Sequence, residues 1–397
     1  MTYFQSLSAA GFAATAISYG PGRMGFGLFV PEFREEFAMS SAAVGFVSAL
    51  GFVGFFLALL LAQALLQRRG PEVPVLTGLV AATLGLGIVA LAPNLPVLAL
   101  GVFLAASSAG FAWTPFNDAV HRKINEVDRP TALSRISTGT AVGIAAAGLA
   151  ALVMVMAGLS WRICWGFFAA AAAVALLANW AALRDVDRAP APAGRQAWRD
   201  LLRIGTVPLV AVAFVYGTIS AIYISFAADH MLARGGAPGL PSAAAPALIF
   251  VFFGLFGLAG LLTGRVKQQI GLPWLLRLLM LAGAGSVALA AVGPGNWAAL
   301  IASAGLQGVH VMMTSAVLAF WSERLFPALP SLSFTAALLA TATGSVLGPA
   351  VAGLVAEAHG MPAMFLGAAV LPVLLALMLR DRHGAERPLQ PAMAQLG

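Results

Sequence analysis

Arg23 is the residue in this sequence with the most to explain. It stands eight residues before Pro31 within the first apolar run, about 12 Å in from that run's end at 1.5 Å per residue. An arginine at that depth is costly unless it faces a cavity or a partner. Two readings stand. The guanidinium binds a carboxylate or other oxyanion through its planar fork, or it caps carbonyls or pairs with Asp118 or another acid to hold the fold. Tyr19 lies four residues earlier on the same helical face. Gly20, Pro21 and Gly22 are expected to loosen the helix there and free backbone groups to line a site.

Further polar stripes sit at helical spacing. Gln307, His310 and Thr314 share one face. His310 is either a buried neutral core histidine or a carrier of protons and a substrate donor, since a free imidazole titrates near pH ~6.5. Tyr216 and Tyr223 are seven apart with Ser220 between them, and Trp113 and Asn117 are four apart. Such side chains either pack, or hold a small organic molecule through an apolar body and one polar atom. Asp118, Arg122 and Arg135, with His121 and Arg129 nearby, are expected to form a charge network gating one mouth of the molecule. Glu32 and Asp229 read either as a gate at the other mouth or as solvated helix ends. The five histidines and the single cysteine, Cys164, have no metal-ligand spacing, and there is no nucleophile–base pair or phosphate loop. No metal, cofactor or enzymatic chemistry is expected.

The elements that must position these residues follow from composition. Of 397 residues, 60% are apolar and only 9% charged, against roughly 25% charged in soluble domains. Mean hydropathy is +0.91. A soluble enzyme and a disordered chain are excluded, and so is a β-barrel, whose strands alternate with period two. Twelve segments are long enough to cross a bilayer: Leu7–Val30, Ser41–Leu66, Val73–Leu91, Leu95–Val120, Thr131–Ala157, Trp161–Leu183, Thr206–His230, Pro246–Gly264, Leu272–Val292, Trp297–Trp321, Ser331–Ala358 and Met361–Leu379. The first run is too long for a signal-peptide core and is expected to be a retained span.

With both termini cytoplasmic, all but Arg23, Arg34, Arg162 and Arg234 of the 22 basic residues fall on the inner side, as the positive-inside rule requires. The net charge of +7 is therefore carried by loops on one membrane face, the cytoplasmic one, and nucleic acid is not expected as a partner.

A long polar connection with Pro190, Pro192 and Gly194 divides the chain. The expected organisation is a six-helix bundle over 1–183, a cytoplasmic linker over 184–205, a second bundle over 206–380 and a cytoplasmic tail over 381–397. Tyr19-Gly20 and Tyr216-Gly217 are 197 apart, Gly110 and Gly308 198, and Gly143 and Gly344 201, which suggests duplication. The fold class is thus an all-α polytopic membrane protein with twelve transmembrane helices in two pseudo-symmetric six-helix bundles.

Several strings resemble motifs of the major facilitator superfamily. The loop after the second span, Gln63-Ala-Leu-Leu-Gln67-Arg68-Arg69-Gly70-Pro71, keeps an arginine and a glycine of the family pattern G-x-x-x-D-R-x-G-R-R but lacks its aspartate. Its counterpart is Gly260-Leu-Leu-Thr-Gly264-Arg265. The fourth-span pattern R-x-x-Q-G is reduced to Ala106-Ser-Ser-Ala109-Gly110, while the tenth span keeps Gln307-Gly308. Glycine patterns like those of family antiporters occur at Gly139, Gly143 and Gly148, and at Gly344, Gly348, Pro349 and Gly353. The string Tyr19-Gly20-Pro21-Gly22-Arg23-Met24-Gly25-Phe26-Gly27, ending at Pro31, resembles the bacterial YbfB/YjiJ-like branch.

This resemblance implies alternating access between the two halves, with the tenth span lining the cavity. The expected function is secondary transport of a small, carboxylate-like organic anion, with or without proton coupling through His310. The alternative is a proton-coupled exporter of amphipathic, drug-like compounds, against which stands the lack of a deep acid in the first span. The expected setting is a bacterial-type inner membrane, with a monomeric chain whose partners are the bilayer and an anionic small molecule. Substrate-binding residues are expected among Tyr19, Arg23, Trp113, Asn117, Tyr216, Ser220, Tyr223, Gln307 and His310.

Overall fold

The computed structural model describes residues 3–184, 186, 206–293, 295–327 and 330–380. The expected linker over 184–205 and tail over 381–397 lie almost wholly outside the described residues. Within them the apolar runs form twelve membrane-length units. In chain order these are α1 (3–37), α2 (Ser41–Arg69), α3 (Glu72–Ala90), α4 (Leu95–Lys123), α5 (Arg129–Met156) and α6 (Trp161–Leu183), then α7 (Val207–Ala233), α8 (Ala244–Ile270), α9 (Leu272–Val292), α10 (Trp297–Leu325), α11 (Pro330–His359) and α12 (Met361–Met378). Polar side chains start several of them: Ser40, Asn94 and Asn296 accept from Ala43, Val97 and Ala298 amides, satisfying donors that a helix start leaves orphaned.

Eleven units are long and apolar enough to cross a membrane as near-continuous helices. The first is broken. It runs as an α-helix over Tyr3–Ile17, widens into a π-helix over Ser18–Met24 and resumes over Gly25–Leu28 and Val30–Phe37. Pro21 has no amide hydrogen, and its ring crowds the carbonyl of Ile17, so the α pattern cannot continue through it. The loosening expected at Gly20–Gly22 thus takes the form of a π segment carrying both Tyr19 and Arg23.

Several helices run past the expected ends. α1 extends to Phe37 and α8 to Ile270, which puts Arg34, Arg265 and Lys267 on helices. Hydropathy ends a span where charge begins, but hydrogen bonding continues while the long basic stems lie along neighbours. Lys267 does so, with its ammonium 4.6 Å from the Phe320 ring centre.

The duplication read from spacing reappears as matching close contacts. A Cβ added to Gly143 would fall 2.3 Å from the Ala16 carbonyl oxygen, and one on Gly344 2.1 Å from that of Phe214. One on Gly110 would fall 2.7 Å from the Phe55 oxygen, and one on Gly308 2.2 Å from that of Phe253. The pairs α1–α5 and α7–α11 therefore pack alike, as do α2–α4 and α8–α10. Backbone-to-backbone approach of this kind is how membrane helices associate where no water is expelled.

The halves meet along α2–α11 and α5–α8. Gly45 faces the Pro349 carbonyl and Gly353 that of Ser41, while Gly148 faces Ala247 and Gly254 faces Ala141. At one end α1 also reaches α7, and there Gly27 lies directly against the Ile224 carbonyl. Because 27 and 224 are themselves repeat-equivalent positions, this contact sits on the pseudo-two-fold axis.

Candidate functional site

Between the halves lies a cavity of about 520 Å³. It is closed at the end where Gly27 meets Ile224 and reaches exposed residues, His121, Ser134 and Glu323, at the other. The open end is the end that carries Lys123 and Arg129, the start of α5 and the end of α10.

Three features hold the closed end together across the halves. Arg34 donates to Asp229 at 2.6 Å. The Ala42 amide donates to Glu357 at 2.8 Å, and the Ser48 and Ser225 hydroxyls share a hydrogen bond. Asp229 is therefore part of an inter-half seal, and the solvated-helix-end reading does not apply to it. Glu32 does not join that seal; its Oε2 is buried with no hydrogen-bond partner among the described residues. The Arg34 and Asp229 side chains are 31% and 13% exposed, so the pair is a modest one. Asp229→Asn is expected to destabilise the closed end by about 0.5–1 kcal/mol. The consequence is a few-fold faster reaction of a Ser48→Cys reporter with an impermeant thiol reagent, and an unchanged rate would show that the pair carries no closing energy.

The blind end of the cavity is built around Arg23. The π segment turns Tyr19 and Arg23 to one side, and the guanidinium lies 4.4 Å from the Phe55 ring centre, 5.4 Å from Phe52 and 5.7 Å from Tyr19. Arg23 is only 9% exposed. Its Nε has no hydrogen-bond partner, and no carboxylate pairs with it among the described residues. Asp118, the acid expected as a structural partner, is engaged by Arg122 instead. Aromatic faces stabilise a cation electrostatically but leave the N–H edge of the guanidinium unused. A buried arginine with its faces covered and its edge free can take a planar oxyanion.

Of the other expected binding residues, Trp113 and Asn117 on α4 and Tyr216 on α7 do line the cavity. Tyr216 lines the cavity together with Tyr19, Arg23 and Ser315, so the two repeat-related tyrosines share one cavity.

Ser220, Tyr223, Gln307 and His310 are not on the cavity wall. Ser220 donates to the Tyr216 carbonyl. Ser303 donates its hydrogen to the Ser286 carbonyl and accepts from the Tyr223 hydroxyl, tying α7, α9 and α10 together inside the second half. Gln307 and His310 are fully buried, and the His310 ring lies against Gly283 of α9. The face of α10 that lines the cavity is the one bearing Val311, Met312, Ser315 and Ala319. The shared face of Gln307, His310 and Thr314 was legible in the spacing; which neighbour it meets is set by how α10 is rotated against α9.

His310 Nδ1 lies 2.8 Å from the Leu279 carbonyl. A carbonyl can only accept, so Nδ1 carries the hydrogen and Nε2 is the basic position. That Nε2, both polar atoms of the Gln307 amide and the Thr314 hydroxyl have no partner among the described residues.

The charge network at the open end is only partly as expected. Asp118 pairs with Arg122, and Asp118 and His121 line the mouth. Arg129 donates to the Ile124 and His121 carbonyls, closing the α4–α5 turn. Arg135 stands apart from this network, with its guanidinium 5.0 Å from the Phe4 ring. Expected in the gating network, it lies on the side of α5 that faces α1.

Sequence reasoning missed Ser134, Ser137 and Thr138, which line the α5 side of the cavity. Their three-and-four spacing was the available signal. It also missed the aromatic cage: Phe52 and Phe55 are three apart in an otherwise uniformly apolar helix, and nothing in that pattern marks which face meets Arg23.

The sequence profile described as Major Facilitator Superfamily matches residues 12–271. No curated protein matches the chain in sequence. Among solved structures, the nucleoside transporter NupG superposes with a TM-score of 0.71 at 16% identity, covering 96% of this chain and 98% of that one. A POT family transporter in complex with 5-aminolevulinic acid gives 0.77 at 12% identity, covering 94% of both chains. A bacterial homologue of the human lysosomal transporter Spinster, in an inward-facing and unoccupied conformation, gives 0.76 at 16% identity, covering 99% of this chain and 100% of that one. At these identities the likeness is one of fold.

Proposed function

The chain belongs to the Major Facilitator Superfamily, and from that premise we propose that it is a secondary transporter of a small organic anion, working by alternating access between its two halves. One observation carries the choice of an anion: Arg23 lies at the blind end of the cavity, buried and caged by rings, with no carboxylate among the described residues to neutralise it. Placing a cation there is costly unless a ligand supplies the counter-charge.

The positive-inside rule favours a cytoplasmic open end and an outer Gly27–Ile224 end, and we take both termini as cytoplasmic, the membrane as a bacterial-type inner membrane and the chain as a monomer. The resemblance of the Tyr19–Gly27 string supports a position in the YbfB/YjiJ-like branch as part of this proposal. In the cycle, substrate held at Arg23 draws the halves together at the cytoplasmic end while the Arg34–Asp229 and Ser48–Ser225 contacts release.

Counterflow in proteoliposomes tests the proposal directly. Unlabelled monocarboxylates are expected to drive uptake of a labelled carboxylate, and lipophilic cations are not. The reverse pattern would favour the alternative of an amphipathic-compound exporter, for which the aromatic walls formed by Trp113, Tyr216 and Phe320 are the supporting feature.

For proton coupling the proposal rests on His310. Its Nε2 is free to accept a proton, and its ring centre lies 5.6 Å from that of Tyr216, which lines the cavity. An anion at Arg23 and a proton at His310 would favour each other, which is the thermodynamic requirement for symport. His310→Gln keeps a donor for the Leu279 carbonyl but cannot titrate. It is expected to retain substrate binding and lose more than nine-tenths of pH-driven accumulation; accumulation with an unchanged pH profile would make His310 a core residue.

A further inference from the structure

The two ends of the cavity have opposite hydrogen-bonding character. At the blind end Arg23 offers only donors. Along the wall towards the mouth, the Ser137 and Thr138 hydroxyls both donate to the Ser134 carbonyl at 2.8 Å. A hydroxyl has one hydrogen and two lone pairs, so these two, with their hydrogens turned back onto the helix, meet the cavity as acceptors. Across the mouth Glu323 on α10 lines the same space, and no ion pair engages it among the described residues. On α4 the Asp118 carboxylate is also an acceptor, and the guanidinium nearest to it, Arg122, is already spent on it. Asn117 and His121 can turn either way. The nearer wall and the opposite wall thus both ask for a donor.

The separation of the two ends follows from packing. α1 and α5 run parallel, with Gly139 level with Phe12 and Gly143 level with Ala16 and Gly20. Arg23 lies three residues beyond Gly20, and Thr138 five residues before Gly143. Arg23 therefore stands towards the closed end of this crossing and Thr138 towards the mouth, with about 12 Å of backbone rise between them at 1.5 Å per residue, to which the width of the cavity is added.

We propose that the anion taken at Arg23 carries a hydrogen-bond donor at its far end, so that the substrate class is hydroxy- or amino-substituted carboxylates. This rests on the reading of Arg23 as the anion site. A plain monocarboxylate leaves the Ser137 and Thr138 acceptors unanswered. A dicarboxylate brings its second charge against Asp118 and Glu323, so the mouth selects against it as well as for the donor.

Equilibrium binding to the purified full-length protein tests this with three probes, hexanoate, 6-hydroxyhexanoate and adipate. Binding of 6-hydroxyhexanoate is expected to be about tenfold tighter than that of hexanoate, as one added hydrogen bond would give, with adipate the weakest. In the Ser137→Ala, Thr138→Val double variant the ratio of 6-hydroxyhexanoate to hexanoate affinity is expected to fall to about one. Equal binding of the first two probes by the unaltered protein, or tightest binding of adipate, overturns the inference while leaving Arg23 as an anion site. Absence of binding by all three overturns the Arg23 reading and this inference with it.

Discussion

Arg23→Lys is expected to weaken substrate affinity by 10- to 100-fold and reduce uptake accordingly, with insertion and thermal stability close to those of the unaltered protein. Lysine keeps the charge and can still lie against the Phe52 and Phe55 rings, 5.4 and 4.4 Å from the present guanidinium. It loses the planar two-pronged edge. Charge-assisted hydrogen bonds contribute about 1.5–3 kcal/mol each, and about 1.4 kcal/mol corresponds to a factor of ten, which sets the range. Arg23→Gln, which removes the charge as well, is expected to abolish binding of monocarboxylates at millimolar concentration. The measurement is direct binding together with proteoliposome uptake, alongside a melting curve. Near-normal uptake by the lysine variant would mean that Arg23 balances charge within the fold and that the anion binds elsewhere or not at all.

The second large effect is expected at Gly27. A Cβ there would fall 1.8 Å from the Ile224 carbonyl oxygen, a separation that no real contact reaches, and the obstacle is backbone rather than the tip of a movable side chain. Gly27→Ala therefore excludes the observed closure between α1 and α7 without touching the packing inside either half. The variant is expected to fold, to populate states in which this end is parted, and to lose at least nine-tenths of transport because one limb of the cycle is blocked. Ser48, 4% exposed behind this contact, becomes the reporter: Ser48→Cys is expected to react at least tenfold faster with an impermeant thiol reagent when Gly27→Ala is present. Gly166→Ala is the matched control, because nothing lies within 4 Å of its added carbon. Equal labelling in the two backgrounds would show that α1 and α7 close without the Gly27 contact.

The sequence by itself determined the class of protein, the number of membrane-length units, the duplication and the depth of Arg23. Each of these depends on a property summed or repeated along the chain. Apolar length must match the bilayer, basic residues must collect on one side, and a proline within a helix must disturb it at Pro21 wherever the helix sits. Spacing also found Trp113 with Asn117, Tyr19 with Arg23, and the shared face of Gln307, His310 and Thr314.

Only the tertiary structure decided which faces meet. In a soluble helix the polar stripe points to water and identifies the outside. Here lipid, neighbouring helices and cavity are all reached through apolar surface, so the rotation of each helix leaves little trace in its pattern. His310 faces Gly283 and Leu279 because α9 approaches on that side, Arg135 faces Phe4 because α1 does, and the unremarkable Ser134, Ser137 and Thr138 face the cavity. Those rotations are set by backbone-to-backbone contacts at Gly20, Gly143, Gly217, Gly308 and Gly344, where one carbon atom more on either helix would turn the face away. The same contacts decide that Arg23 ends in a ring of aromatic side chains with no acid paired with it among the described residues, and it is that vacancy of charge, invisible in the order of residues, on which the proposed activity rests.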